Sequence, residues 1–124
     1  MELKLRKKYS YILYKLNEDN TSIVIEKAVE TRDTYKDFVK QLPEDECRYA
    51  VFDFEYEKPG GEGIRNKICF IFWVPDTSKV RQKMIYASSK DALRKKLAGV
   101  ATEIQATDFS EVGYDAVIEK VKSH

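Results

Sequence analysis

The sequence predicts an α/β protein of the α+β kind: one central mixed β-sheet flanked by helices. Three stretches carry that prediction. Arg48–Glu57 (RYAVFDFEYE) alternates apolar and polar residues from Val51 onward, the period of a half-buried strand. Ile68–Val74 (ICFIFWV) is apolar without alternation, as a central strand covered on both faces would be. Ser78–Ala98 keeps helical spacing over a length that ordinary strands do not reach. In chain order the elements read β-β-α-β-β-α-β-α, and the layer rule packs such a series as one sheet with helices against it. A length of 124 residues, without internal repeat or dividing linker, predicts a single domain spanning 1–124.

Each element has its own signal. Tyr9–Leu16 is aromatic and β-branched, Asn17–Asn20 is a polar turn, and Ser22–Val29 is a second apolar run. Together they predict a hairpin. Thr31–Leu42 places Tyr35, Phe38, Val39 and Leu42 at helical spacing, with Thr31 or Asp33 as cap and Pro43 as stop. Lys58-Pro59-Gly60-Gly61-Glu62-Gly63 is the clearest turn. The long helix, at about 79–98, does not keep one phase. Val80, Met84 and Ala87 share one face, and Tyr86, Leu93 and Leu97 share another, rotated by roughly a third of a turn. A straight helix cannot bury both, so a kink near Ser88-Ser89 is expected, with Gly99 as the stop. Thr102–Thr107 reads as an edge strand. Phe109–Val121 reads as a closing helix capped by Ser110, with Val117, Ile118 and Val121 inward.

Composition narrows the function classes. Twenty-two basic and 21 acidic residues leave a net charge of +1, which argues against a domain devoted to holding a polyanion, though not against a local basic patch. Cys47 and Cys69 form no CxxC and lie beside apolar runs, as buried free thiols in a reducing compartment do. The longest apolar stretch, Ile68–Val74, is far short of the roughly 20 residues that span a bilayer, and the N-terminus lacks the apolar core of a secretory signal. The only histidine is His124, and HExxH, GxxxxGK[ST], GxGxxG and GxSxG are absent. Neither an enzyme, a metal nor a cofactor is expected.

The basic residues are more informative. Lys83, Lys90 and Arg94 fall within roughly 40° of one another at helical periodicity, flanked by Arg81 and Lys95 and interrupted by Asp91. Such a row suits an acidic partner; the alternative is a solvated face held by pairs such as Asp91 with Lys95. Arg65 and Lys67 follow the glycine turn and point to the same side of the next strand. On pattern alone they read as a strand start kept soluble by charge, and Glu119, Lys120 and Lys122 on the last helix read as ordinary surface charge. An aromatic strand flanked by lysines could suggest a single-stranded RNA platform, but ICFIFWV lacks the RNP pattern.

Lys67–Val121, with its segment MIYASSKDALRKKL, and ECRYAVFDFEYE (Glu46–Glu57) resemble the actin-depolymerising factor/cofilin family, most of all its fungal members, and the likeness begins at about Leu3. The resemblance implies the ADF-homology (gelsolin-like) fold and a protein that binds actin monomers and filaments, prefers the ADP form, and severs and depolymerises filaments. It places the surface for monomer and filament on Arg81, Lys83, Lys90, Asp91, Arg94 and Lys95. A filament-specific surface falls on Arg65, Lys67, Glu119 and Lys120. It further implies competition by phosphoinositide lipids for the basic helix, a cytoplasmic place on the actin cytoskeleton, and the nucleus as a second location. Ser123 stands where the family often has a basic residue, which implies reduced filament affinity. A phosphoinositide- or nucleic-acid-binding module resting on the basic helix is the reading of another class.

Family members begin with a flexible tail bearing a regulatory serine and an amphipathic helix, whereas Met1-Glu2-Leu3-Lys4-Leu5 stands roughly where that helix ends. Ser10 lies inside the first strand and does not replace the serine. Tyr9–Leu16 has apolar residues on both faces, so three consequences are expected: an uncovered sheet face, stability lower by a few kcal/mol, and a tendency to self-associate in an otherwise monomeric protein. An impaired, binding-only variant is the corresponding alternative.

Overall fold

A computed structural model describes residues 9–30, 35–57, 60–61 and 63–122. Thr31 and Asp33, Lys58, Pro59 and Glu62 of the glycine turn, Ser123, His124 and the residues before Tyr9 lie outside that set. The elements are β1 (Tyr11–Leu16), β2 (Ile23–Val29), α1 (Tyr35–Val39), β3 (Arg48–Glu57), β4 (Ile64–Trp73), α2 (Val80–Arg94), β5 (Val100–Ala106), a 3₁₀ turn (Phe109–Val112) and α3 (Tyr114–Lys122).

All five strands form one mixed sheet in the order β2-β1-β3-β4-β5. Three neighbouring pairs are antiparallel, and β4 with β5 is parallel. The parallel pair needs a crossover, and α2 supplies it. At the other edge, β2 carries a bulge: Leu13 pairs with Lys27 and Tyr14 with Ile25, leaving Glu26 as the extra residue.

Each face of the sheet has its own core. One holds Tyr11, Leu13, Phe52, Phe54, Ile71 and Trp73 beneath α1 and α3, which contribute Tyr35, Phe38, Val117, Ile118 and Val121. The opposite face holds Ile12, Tyr14, Tyr49, Val51, Phe70 and Phe72 beneath α2, which contributes Tyr86 and Leu93, with Leu97 just beyond it. The unbroken apolar run of β4 is thereby explained, since alternate residues feed the two cores.

Several expectations are corrected. Tyr11, Ile12, Leu13 and Tyr14 are all buried, so β1 has no uncovered face. The large apolar side chains that do meet solvent include Val24 and Ile25 on β2 and Val80 and Met84 on α2, and a cleft of about 600 Å³ separates β2 from the second half of α2. The long helix ends at Arg94, before Gly99. Lys96 and Leu97 donate backbone N–H groups to the carbonyls three residues back, which tightens the last turn and leaves Gly99, at φ +80°, to swing the chain into β5. The two apolar stripes of this helix are reconciled by exposure: α2 is one continuous helix, Val80 and Met84 are 70% and 67% exposed, and only the Tyr86–Leu93 stripe is buried. The closing helix is divided, because Asp108 caps the 3₁₀ turn by accepting from the Glu111 N–H, Ser110 donates its hydroxyl to Asp108, and α3 starts only after Gly113.

Candidate functional site on the outward face of helix α2

The candidate site is the solvent side of α2, and two phenols fix which side that is. The Leu16 N–H donates to the Tyr86 hydroxyl at 3.0 Å, and the Tyr49 hydroxyl donates to the Tyr86 carbonyl oxygen at 2.5 Å. Burial pushes the pKa of both phenols upward, so both stay neutral and able to donate. With Tyr86 and Leu93 held inward, helical periodicity of about 100° per residue turns Val80, Met84, Ala87 and Asp91 outward. All four are exposed.

Cations stand on both flanks of this strip. Lys83, Lys90 and Arg94 follow one side, and Arg81 and Lys95 the other. The half-buried Lys83 donates its ammonium to the Asp76 carbonyl at 2.7 Å, which fixes it over the start of the helix. Lys90 reaches Glu103 on β5 at 3.4 Å. Arg81, Asp91, Arg94 and Lys95 have no ion pair or hydrogen bond from their side chains to the described residues, so the Asp91–Lys95 pair weighed as an alternative does not form.

The helix start is electrostatically unusual. Lys79 occupies the N-cap without a side-chain cap bond, the first turn has no acid, and Arg81 lies within it. A cation at the positive end of a helix opposes its dipole, by about 0.3–1 kcal/mol in general. The fold gives Arg81 no compensating partner among the described residues. An apolar strip rimmed by cations, of which Arg81, Arg94 and Lys95 have no partner among the described residues, has the anatomy of a protein interface: a dry centre, a charged margin, and positive potential for an acidic partner.

The second group of expected residues lies elsewhere, on the α1/α3 face at the far end of the sheet. Arg65 pairs opposite Tyr56, and Lys67 opposite Phe54, so both side chains share the face that α3 covers. Arg65 is exposed and meets no partner among the described residues. Lys67 is half-buried, and its ammonium donates to the Val121 carbonyl at 3.0 Å. Glu119 and Lys120 are exposed on α3. The structure therefore gathers Arg65, Lys67, Glu119 and Lys120 on one face, apart from α2. Among the described residues no cluster of histidine, cysteine or acidic groups could hold a metal ion, and no helix is long and apolar enough to cross a membrane.

The sequence profile of the family described as cofilin/tropomyosin-type actin-binding protein matches residues 1–122. The chain belongs to the actin-depolymerising factor/cofilin family. Cofilin of Mycosarcoma maydis is 60% identical over 120 residues, covering 97% of this chain and 85% of that protein. Cofilin of Saccharomyces cerevisiae is 57% identical, covering 97% and 83%. Among solved structures, the cofilin described as from Streptomyces griseoflavus superposes with a TM-score of 0.88 at 52% identity, over 96% of this chain and 86% of that one. Actin depolymerization factor 2 of Plasmodium berghei gives 0.82 at 30% identity, over 98% and 88%. The sheet order and the helices on both faces are thus those of the cofilin fold. Val80 and Met84 were absent from the residues proposed from the sequence. Their signal is the out-of-phase apolar stripe, whose residues the structure leaves in solvent instead of burying them by a kink.

Proposed function

We propose that this chain, acting as one ADF-homology unit, binds actin monomers and filaments through the outward face of α2 and promotes filament depolymerisation and severing. The observation that carries this reading is the strip of Val80 and Met84, 70% and 67% exposed, on a helix whose other side is locked to the sheet. Large apolar side chains at such exposure, rimmed by cations, suit a surface that is covered when a partner arrives. Arg81, Lys83, Lys90, Asp91, Arg94 and Lys95 supply its margin.

Arg65, Lys67, Glu119 and Lys120 form the filament-specific surface in this reading. Their place on the opposite face of the sheet from α2 supports it, since a second actin subunit of a filament is what a second face would meet. Preference for ADP-actin, competition by phosphoinositides for the basic margin, and a place in the cytoplasm and nucleus rest on the family relationship. No bond in actin is made or broken in this mechanism. A ligand that binds one filament conformation more tightly than another shifts the filament toward it by the difference in affinity.

Co-sedimentation with actin filaments, combined with a monomer-binding assay, tests the site. Met84→Glu places a charge in the centre of the strip while leaving the cores intact. It is expected to weaken both interactions by on the order of tenfold or more, as burial of an unpaired charge does. Unchanged affinity for both forms of actin in a folded Met84→Glu protein would remove α2 as the site. Filament-length imaging then separates severing from binding alone.

A further inference from the structure

Lys67 differs from Arg65 in the second surface. Its ammonium donates to the carbonyl of Val121, in the last turn of α3, at 3.0 Å. It also stands 6.0 Å from the centroid of the Tyr56 ring, and Lys122 stands 5.9 Å from the same ring. The last carbonyls of a helix lack intrahelical donors and carry the negative end of its dipole, so an ammonium from another element is well placed there. The aromatic face adds a second attraction for both cations. Arg65, two residues earlier on the same strand, has no such engagement among the described residues. One of the pair is free to meet a partner. The other is occupied inside the protein.

We propose that Lys67 is a positioning residue: it ties the C-terminal turn of α3 to β4, so that Arg65 on the strand and Glu119 and Lys120 on the helix are held as one surface, and it does not itself touch the filament. The inference rests on the filament-surface reading above. It divides labour within that surface: Arg65 makes contact, and Lys67 sets the distance between Arg65 and the α3 side chains. Tyr56 serves as the platform beneath the tie.

The test compares full-length variants in filament co-sedimentation at several salt concentrations, with monomer binding and thermal melting alongside. Arg65→Ala is expected to weaken filament binding and flatten its salt dependence, because a charge that meets a partner is screened by salt. Lys67→Ala is expected to weaken filament binding by roughly tenfold while leaving monomer affinity and the salt slope unchanged. That loss is expected to vanish in a background already carrying Glu119→Ala and Lys120→Ala, since residues that act through one another do not add. Lys67→Arg, which keeps a donor within reach of the Val121 carbonyl, is expected to restore binding, and amide exchange in the last turn of α3 is expected to rise in Lys67→Ala alone. A flattened salt slope in Lys67→Ala, or a loss that adds fully to the α3 double substitution, would overturn the proposal by making Lys67 a contact. Unchanged filament binding in a folded Lys67→Ala protein would overturn it by making the tie irrelevant to the surface. If Arg65→Ala binds filaments normally, the filament-surface reading itself fails, whatever Lys67 does.

Discussion

Lys90 and Arg94 stand one helical turn apart on the flank of α2 that faces β5, where Lys90 meets Glu103 at 3.4 Å and Arg94 meets no partner among the described residues. Neither supports a core, so truncating both should cost little stability, as exposed ion pairs are generally worth about 0–1 kcal/mol. If they form the margin of the actin site, Lys90→Ala with Arg94→Ala lowers affinity for monomer and filament by on the order of tenfold or more, with the larger effect at low salt. A folded double variant with undiminished monomer affinity in a pull-down would contradict that. The cysteines give a second prediction at this scale. Cys47 and Cys69 are both buried, and burial pushes the Cys69 thiol up to about 12, Cys47 moving in the same direction. Thiols held so far from ionising are poor nucleophiles. Alkylation at neutral pH is therefore expected to be slow in the native protein and fast in urea, and rapid native labelling of either would show that its side of the sheet opens. The sequence showed which single side chains were apolar and which charged, but not their surroundings. Asp53, assigned to the polar side of β3 by alternation, is 5% exposed, with the Asn66 amide at 3.4 Å. Neighbours brought from another strand decide such a position, and local periodicity does not contain them.

At the scale of elements, strands were more legible than helices. The limits of β3 are legible in RYAVFDFEYE because its aromatic and β-branched residues favour a strand throughout, although its first seven residues are all buried, alternate ones feeding opposite cores. Helix α2 was placed correctly but read too long at its end, since Lys95, Lys96 and Leu97 continue the periodicity while the backbone has already tightened. Its misread stripe has the same origin: periodicity reports which residues share a face, and only the sheet reports which face is covered. The segment after β5 yields a prediction. Hydrogen bonds from Ser110 hold the Asp108 carboxyl below its ordinary value, and those from Thr107 do the same for Glu111. Both groups thus have folded values below their unfolded ones, so the stability they add is complete above the ordinary carboxylate range, roughly pH 4–5, and is lost as pH falls through the lowered values. Urea melts of the native protein and of Asp108→Asn with Glu111→Gln should converge on acidification from pH 7 toward pH 3. A difference that does not narrow between pH 7 and pH 3 would show that these side chains act by something other than their charge.

The described residues form a sheet with a core on each face, and the strands contribute side chains to both. Phe38 is fully buried in the core beneath α1, with ring centroids 5.1, 5.3 and 5.2 Å from those of Tyr11, Tyr35 and Phe52. Phe38→Ala is expected to cost about 3–5 kcal/mol, a large share of the margin of an ordinary domain. Because Tyr11–Tyr14 of β1 alternate between the two cores, the loss should lower the thermal midpoint of both faces together. Trp73, the single tryptophan, and Tyr86 lie on opposite faces, so the near-ultraviolet signal of the first and the backbone amide resonance of the second report on the two cores separately. Two transitions in that variant would show that the faces melt independently.

The double attachment of Tyr86 has a mechanical meaning. Its hydroxyl is anchored to β1 through Leu16, and its carbonyl to β3 through Tyr49, so α2 is pinned near its middle at two points on two strands. A rod fixed at one point still swivels; fixed at two, it neither swivels nor slides. When two bodies meet and one must yield, the softer one takes the deformation. Pinned in this way, α2 is the stiff side of any contact it makes, and the bending work falls on whatever is pressed against it.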